Sequence, residues 1–193
     1  MSRIILASAS PRRKEILSML GIDFEVIVSS ADEKSDIKEP SGLVGYLSKI
    51  KAESVYNKNP NSIVIGADTV VYLPEVGIMG KPKSKTDAYN MISALSGKTH
   101  EVFTGVTVTD ISGSVTFSTV THVTFKKLSE DEIESYVSTD EPYDKAGAYA
   151  VQGRAGVFVE RLDGDYFNVV GLPISPLYDV LRKKEVRLWE HTI

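Results

Sequence analysis

Apolar and polar positions fall along this chain in short blocks whose lengths separate strands from helices. Ile4 to Ala7 is a brief apolar run of the kind that forms a buried strand. Pro11 to Leu20 predicts a helix with Ile16, Leu17 and Leu20 on one face. Ser10 is its N-cap, Pro11 takes its first position and Gly21 stops it. Phe24 to Val28 predicts a second strand, followed by a polar stretch from Ser29 to Ser41. Leu43 to Tyr56 predicts a helix with Leu43, Leu47 and Ile50 on its apolar face. Ser62 to Leu73 predicts a long apolar strand, broken by Gly66 and Asp68. Lys83 to Thr86 is a polar connection into a helix over Asp87 to Leu95, which Gly97 ends. Val102 to Asp110 and Ser114 to Lys126 are rich in Val, Thr and Phe and flank Ser112-Gly113, a hairpin pattern. Ser129 and Glu132 form a capping box for a helix to about Val137. Val157 to Leu162 and Tyr166 to Val170 read as strands joined by a tight turn at Asp163-Gly164, and Ile174 to Lys184 as a last helix. Strand–helix units followed by hairpins and a closing helix predict an α/β fold with a mixed central sheet and flanking helices.

Composition narrows this picture without changing it. A chain of 193 residues is long enough for one domain with a sizeable core, and 1–193 reads as a single domain of two lobes. At 42% hydrophobic and 25% charged residues, disorder is excluded. The net charge of −4 argues against a nucleic-acid-binding surface, which needs a basic stripe. The absence of cysteine excludes a disulfide scaffold and a thiolate metal site and suits a cytoplasmic protein. The apolar run near the N-terminus is too short for a signal segment or a membrane span. His100, His122 and His191 are not spaced as a zinc set. Neither the GxGxxG nor the Walker lysine pattern is present.

The candidate chemistry sits where residues break their local rule. A helix start prefers acidic residues, yet Arg12, Arg13 and Lys14 crowd the first turn after Ser10. A docked anion, phosphate above all, would reverse that penalty, with Ser8, Ser10 and free backbone N–H groups facing it; a solvated basic turn is the plain alternative. Asp68 interrupts an apolar strand and must be paired, metal-bound or open to a cleft. It is either a general base or metal ligand, or a strand-end carboxylate bonded to backbone; Gly66 beside it permits a bulge that would re-aim a side chain. Lys51, one turn after Leu47, either enters a cleft or snorkels along the apolar stripe. Lys81, between Gly80 and Pro82, fits a surface turn. Asp32 and Glu33 are loop acids that become Mg²⁺ ligands if phosphate binds nearby. In the special-residue-rich connection Glu141 to Gly153, Gln152 offers an amide either to a base edge or to a structural hydrogen bond.

Taken together, these segments resemble the Maf family of nucleotide pyrophosphatases over essentially the whole chain. The matching stretches are Leu6-Ala7-Ser8-Ala9-Ser10-Pro11-Arg12-Arg13, Gly66-Ala67-Asp68-Thr69-Val70-Val71, Gly80-Lys81-Pro82 and Gly97-Lys98-Thr99-His100-Glu101-Val102 with Thr104-Gly105-Val106. Glu141-Pro142, Asp144-Lys145-Ala146-Gly147-Ala148-Tyr149, Gln152-Gly153 and Val169-Val170-Gly171-Leu172-Pro173 follow in order. The resemblance implies hydrolysis of a nucleoside triphosphate to the monophosphate and pyrophosphate with a divalent cation, Mg²⁺ or Mn²⁺. It implies Asp68 as general base, phosphate-facing roles for Ser8, Arg12, Arg13, Lys51 and Lys81, and a metal-linked role for Glu33. Arg12, Thr69 and Gln152 match the subgroup acting on dTTP and UTP, as does Asp144-Lys145-Ala146-Gly147. A mixed-sheet α/β fold with two lobes around a cleft, and a homodimer, are further implications. A non-enzymatic regulator of septum formation, and a pyrophosphatase for another modified nucleotide, are the rival functions.

Overall fold

The apolar blocks fold into a seven-stranded mixed sheet with flanking helices within residues 3–188, which the computed structural model describes; His191 lies outside them. In chain order the elements are β1 (Arg3–Leu6), α1 (Pro11–Ser18), β2 (Glu25–Val26), α2 (Pro40–Tyr56), β3 (Ser62–Leu73), β4 (Gly77–Met79) and α3 (Lys85–Leu95). They continue with β5 (Thr99–Asp110), β6 (Gly113–Phe125), α4 (Glu130–Val137), β7 (Val159–Asp163), α5 (Tyr166–Val170) and α6 (Ile174–Lys183). The strand order is β2-β1-β3-β5-β6-β7, with β4 paired to β3. The β1 pairings with β2 and β3 are parallel, whereas β3/β4 and β6/β7 are antiparallel. The mixed sheet expected from the element order is therefore present. Central β1 and the first half of β3 are buried along their apolar lengths, which is why they read as continuous apolar runs.

The predicted caps hold. Ser10 Oγ accepts from the Arg13 N–H at 3.4 Å, Pro11 opens α1, and Ser129 and Glu132 close their box on α4. Two elements differ from expectation. Tyr166–Val170 is a helix, not a strand. Its aromatic and β-branched residues favour a strand, but Asp165 Oδ1 accepts from the Phe167 and Asn168 N–H groups at 2.7 and 3.3 Å and caps a helical turn. Asn168 is then buried, donating to the Val102 carbonyl and Thr121 Oγ1, both at 2.9 Å. The second difference is β4, three residues too short to leave a pattern.

The chain forms two compact units, one holding residues 3–68, 104–119 and 171–188, the other 69–103 and 120–170. In the first, α2 buries Val44, Leu47, Ser48, Ala52 and Val55. That face is rotated from the expected Leu43–Leu47–Ile50 stripe because the helix lies against glycines. A Cβ on Gly66 would come within 2.3 Å of the Ser48 carbonyl oxygen, and one on Gly105 within 2.3 Å of the Val44 carbonyl. Small residues on both sides allow backbone-to-sheet contact, and the buried Ser48 hydroxyl is satisfied by Gly45 O and Thr107 Oγ1. At the C-terminal end, Lys184 reaches Asp110 Oδ1 at 2.6 Å, Ser112 Oγ and the Gly113 carbonyl, fastening the end of α6 to the β5–β6 turn.

The second unit has its own aromatic core. Phe125, Tyr149, Phe158 and Tyr136 stack edge to face around Val71, Ile92 and Ile133. His100 sits inside it, its Nε2 bonded to the Tyr149 hydroxyl at 2.8 Å. Burial pulls its imidazole down to about 4, so His100 is a neutral core residue at neutral pH.

Candidate active site

Six of the residues singled out from the sequence, Ser8, Arg12, Arg13, Glu33, Lys51 and Asp68, lie in the first unit, past the end of β1 and midway along β3. β1 runs straight into the loop Ala7–Ser10, held to β3 by the Ala7 N–H on the Ile65 carbonyl at 2.8 Å. Ser8 is buried, and its Oγ accepts from the Ser10 N–H and from Arg13 Nη1, both at 3.2 Å. The loop is thus turned into α1 by its own serines.

Arg12 and Arg13, adjacent in sequence, have different surroundings. Arg13 Nε donates to the Gly171 carbonyl and Nη1 to the Ala67 carbonyl, both at 2.8 Å. Burial lowers its guanidinium from the ordinary arginine value, and the Asp68 carboxylate opposes that shift. Arg13 therefore ties α1 to the residue before Asp68, a structural duty the sequence does not announce. Arg12, in contrast, has no hydrogen-bond or ion-pair partner among the described residues. A guanidinium without a counter-ion in the first turn of a helix is what an incoming anion requires.

Asp68 lies in β3 with its side chain only 15% exposed. Its Oδ1 receives Lys51 Nζ at 2.6 Å, and the same ammonium meets Glu33 Oε2 at 2.9 Å. Lys51 is 12% exposed, so it turns inward rather than snorkelling, whereas Glu33 is half exposed on its loop. Gly66 shapes this geometry by close approach. The β1/β3 register runs unbroken up to Ile65, and the missing Cβ of Gly66 lets the Ser48–Ala52 stretch of α2 press on the strand. Lys51 is carried by that stretch, so the close approach sets its distance to Asp68.

Arg12, Arg13 and Lys51 outnumber the two carboxylates, which leaves this corner a net positive charge suited to a polyanion. Asp68 and Glu33 share one cation between them. Among the described residues no group of three or more His, Asp or Glu side chains could hold a metal ion alone. Mg²⁺ takes only one or two carboxylates and completes its shell with water and substrate phosphate oxygens. Two hard carboxylates converging on one positive charge fit such an ion.

The remaining predicted residues belong to the second unit. Thr69 follows Asp68 directly in β3. Lys81 is exposed after Gly80, whose carbonyl accepts from the Gly147 N–H at 3.0 Å. Gln152 is exposed on a turn closed by the Gly153 N–H on the Ala150 carbonyl at 3.2 Å. The connection Glu141–Phe158 is not a bare loop but three short 3₁₀ turns, Glu141–Asp144, Ala146–Ala148 and Arg154–Phe158. The Glu141 carboxylate, absent from the predicted set, anchors it; its place inside a motif rich in special residues is the only sequence signal it leaves.

The sequence model of the family described as Maf-like protein matches residues 3–184. A protein of Alkaliphilus metalliredigens named dTTP/UTP pyrophosphatase is 52% identical over 187 residues, covering 95% of this chain and 96% of that protein. A Bacillus anthracis protein of the same name is 49% identical over 184 residues, with the same coverage of 95% and 96%. Among solved structures, the Staphylococcus aureus Ham1 protein superposes with a TM-score of 0.54 at 14% identity, covering 95% of this chain and all of that one, a likeness of fold alone. Among the described residues, no helix is long and apolar enough to cross a membrane.

Proposed function

The chain belongs to the Maf-like protein family, and on that premise we propose that it hydrolyses nucleoside triphosphates, dTTP and UTP by preference, to the monophosphate and pyrophosphate. The observation that carries this reading is the Asp68–Lys51–Glu33 cluster beside the Ser8–Arg13 loop. It joins a carboxylate to an excess of positive charge at a helix start. Relatives about half identical over nearly their full length, named for dTTP and UTP, support the substrate class.

Asp68 accepts a proton from a water, which attacks the α-phosphorus, and pyrophosphate departs. Lys51 orients the Asp68 carboxylate through Oδ1, and Asp68 Oδ2 is left to take the proton. Arg12 binds phosphate and contributes to substrate choice. Arg13 and Ser8 hold the loop in shape, and their phosphate-facing roles rest on the family resemblance. Lys81 as a phosphate contact, and Thr69 and Gln152 as readers of the pyrimidine, rest on the family resemblance. A divalent cation, Mg²⁺ or Mn²⁺, held with the help of Glu33 would neutralise charge on the polyphosphate. The reading extends to a single catalytic domain, from the length of the chain, a cytoplasmic location, which the absence of cysteine suits, and a homodimer, from the family resemblance.

A substrate panel tests the proposal. With Mg²⁺, dTTP, UTP and 5-methyl-UTP should turn over about tenfold or more faster than CTP, 7-methyl-GTP and ITP. EDTA should abolish turnover. A preference for 7-methyl-GTP or ITP would reassign the base pocket. Flat results on every triphosphate would overturn the enzymatic reading and favour a regulator of septum formation.

A further inference from the structure

Glu141 has no role in the reaction set out above, yet three donors converge on its carboxylate. The Arg154 N–H reaches Oε2 at 2.8 Å, and the Ala155 N–H and Tyr136 hydroxyl reach Oε1 at 3.2 and 3.3 Å. Arg154 opens the 3₁₀ turn Arg154–Phe158, and the residue before it, Gly153, provides no side-chain cap. Backbone N–H groups at the start of such a turn need an acceptor, and Glu141 delivers one from 13 residues earlier in the chain. Gly153 suits this arrangement closely. A Cβ there would stand 2.3 Å from Glu141 Oε1 and 2.6 Å from its Cδ.

The carboxylate is itself fixed from behind. Tyr136 is buried, and its single hydroxyl proton is shared between Glu141 Oε1 and the Ala148 carbonyl, the latter at 3.1 Å. The Glu141 N–H donates to Thr139 Oγ1 at 3.4 Å, and Lys145 Nζ donates to the Glu141 carbonyl at 3.2 Å. Pro142, the next residue, is buried. Gln152, by contrast, is exposed and directly precedes Gly153. An exposed amide discriminates between bases only if the backbone beneath it is held. Here the grip is on the residues just after it.

We infer that Glu141 is a positioning residue for base selection, its carboxylate holding the Gly153–Ala155 backbone so that Gln152 is presented in one orientation. This rests on the reading of Gln152 as a base reader given under the proposed function. A purely structural Glu141 would affect all triphosphates alike; a positioning residue changes the choice among them.

The test is a double-mutant cycle on the full chain, with kcat and KM measured for UTP and CTP. Glu141→Ala and Gln152→Ala should each lower the UTP:CTP ratio of kcat/KM by about tenfold, mainly through KM for UTP. The pair should be no worse than Gln152→Ala alone, because both changes remove the same oriented amide. Gly153→Ala, which intrudes on the carboxylate while leaving Glu141 in place, should reproduce the loss and serves if Glu141→Ala does not fold. An unchanged UTP:CTP ratio in both Glu141→Ala and Gly153→Ala, or additive effects in the cycle, would overturn the inference while leaving Gln152 as reader. An unchanged ratio in Gln152→Ala would remove Gln152 as reader, and the inference with it.

Discussion

Replacing Asp68 with Asn should lower kcat for dTTP by about a thousandfold while KM changes by no more than about threefold. Removing a general base costs roughly 10²–10⁴ in rate. Asn is nearly the same size, and its carbonyl oxygen can still accept the Lys51 ammonium that Asp68 Oδ1 accepts at 2.6 Å. The loop, the helix start and the lysine therefore keep their places, and substrate should bind much as before. What is lost is the ability to take a proton. Steady-state kinetics with dTTP and UTP, beside a thermal melt close to that of the parent, separates lost chemistry from lost fold. Near-normal kcat in Asp68→Asn would remove Asp68 as the base and leave it a partner of Lys51 only.

Adding one methyl group at Gly66 should also disable the protein, by a different route. The new Cβ would lie 2.3 Å from the Ser48 carbonyl oxygen and 2.8 Å from the Ala52 nitrogen, both backbone atoms of α2. Neither can swing aside as a flexible side chain does, so the helix itself must shift. Overpacking of this kind costs about 1–3 kcal/mol, which for a chain of this size corresponds to a fall in Tm of roughly 2–12 °C. Lys51 moves with the helix, and a misplacement of about 1 Å at a catalytic group is worth about 10²-fold in rate. Gly66→Ala should therefore lower kcat/KM by about a hundredfold even in the folded fraction. Gly45→Ala, on the same helix, is the contrast. Its Cβ would make only an ordinary contact with Thr116 Cγ2 at 3.6 Å. Relief of backbone entropy within a helix should then stabilise by about 0.5–1 kcal/mol. Urea midpoints and kinetics for the two variants check both expectations; equal tolerance at Gly45 and Gly66 would contradict the close seating of α2.

Much of this was legible in the chain itself, because the signals were strong and local. The bounds of β3 coincide with the apolar run Ser62–Leu73, and the caps Ser10 and Ser129 sit where their side chains reach the N–H three residues on. The wrong-sign first turn pointed to the Ser8–Arg13 loop, and the carboxylate in an apolar strand pointed to Asp68. What escaped depends on partners distant in sequence. Tyr166–Val170 has strand-forming side chains, but its state is decided by the Asp165 cap and by Asn168, whose partners Val102 and Thr121 are 66 and 47 residues away. Gly66 beside Asp68 also admits the backbone of α2, and that use requires knowing which helix arrives. Arg12 and Arg13 are alike as letters, yet one is bound by the Gly171 and Ala67 carbonyls and the other has no partner among the described residues. Glu141 leaves no spacing pattern at all, since two of the three donors on its carboxylate are backbone N–H groups.

In the proposed reaction, water attacks the α-phosphorus and pyrophosphate leaves. The most direct measurement is hydrolysis of dTTP in ¹⁸O-enriched water, with both products analysed by mass spectrometry. Attack at the α-phosphorus puts one ¹⁸O atom in each dTMP formed and none in the pyrophosphate, with the two products in equal amounts. Label in the pyrophosphate, or release of orthophosphate with dTDP, would contradict it.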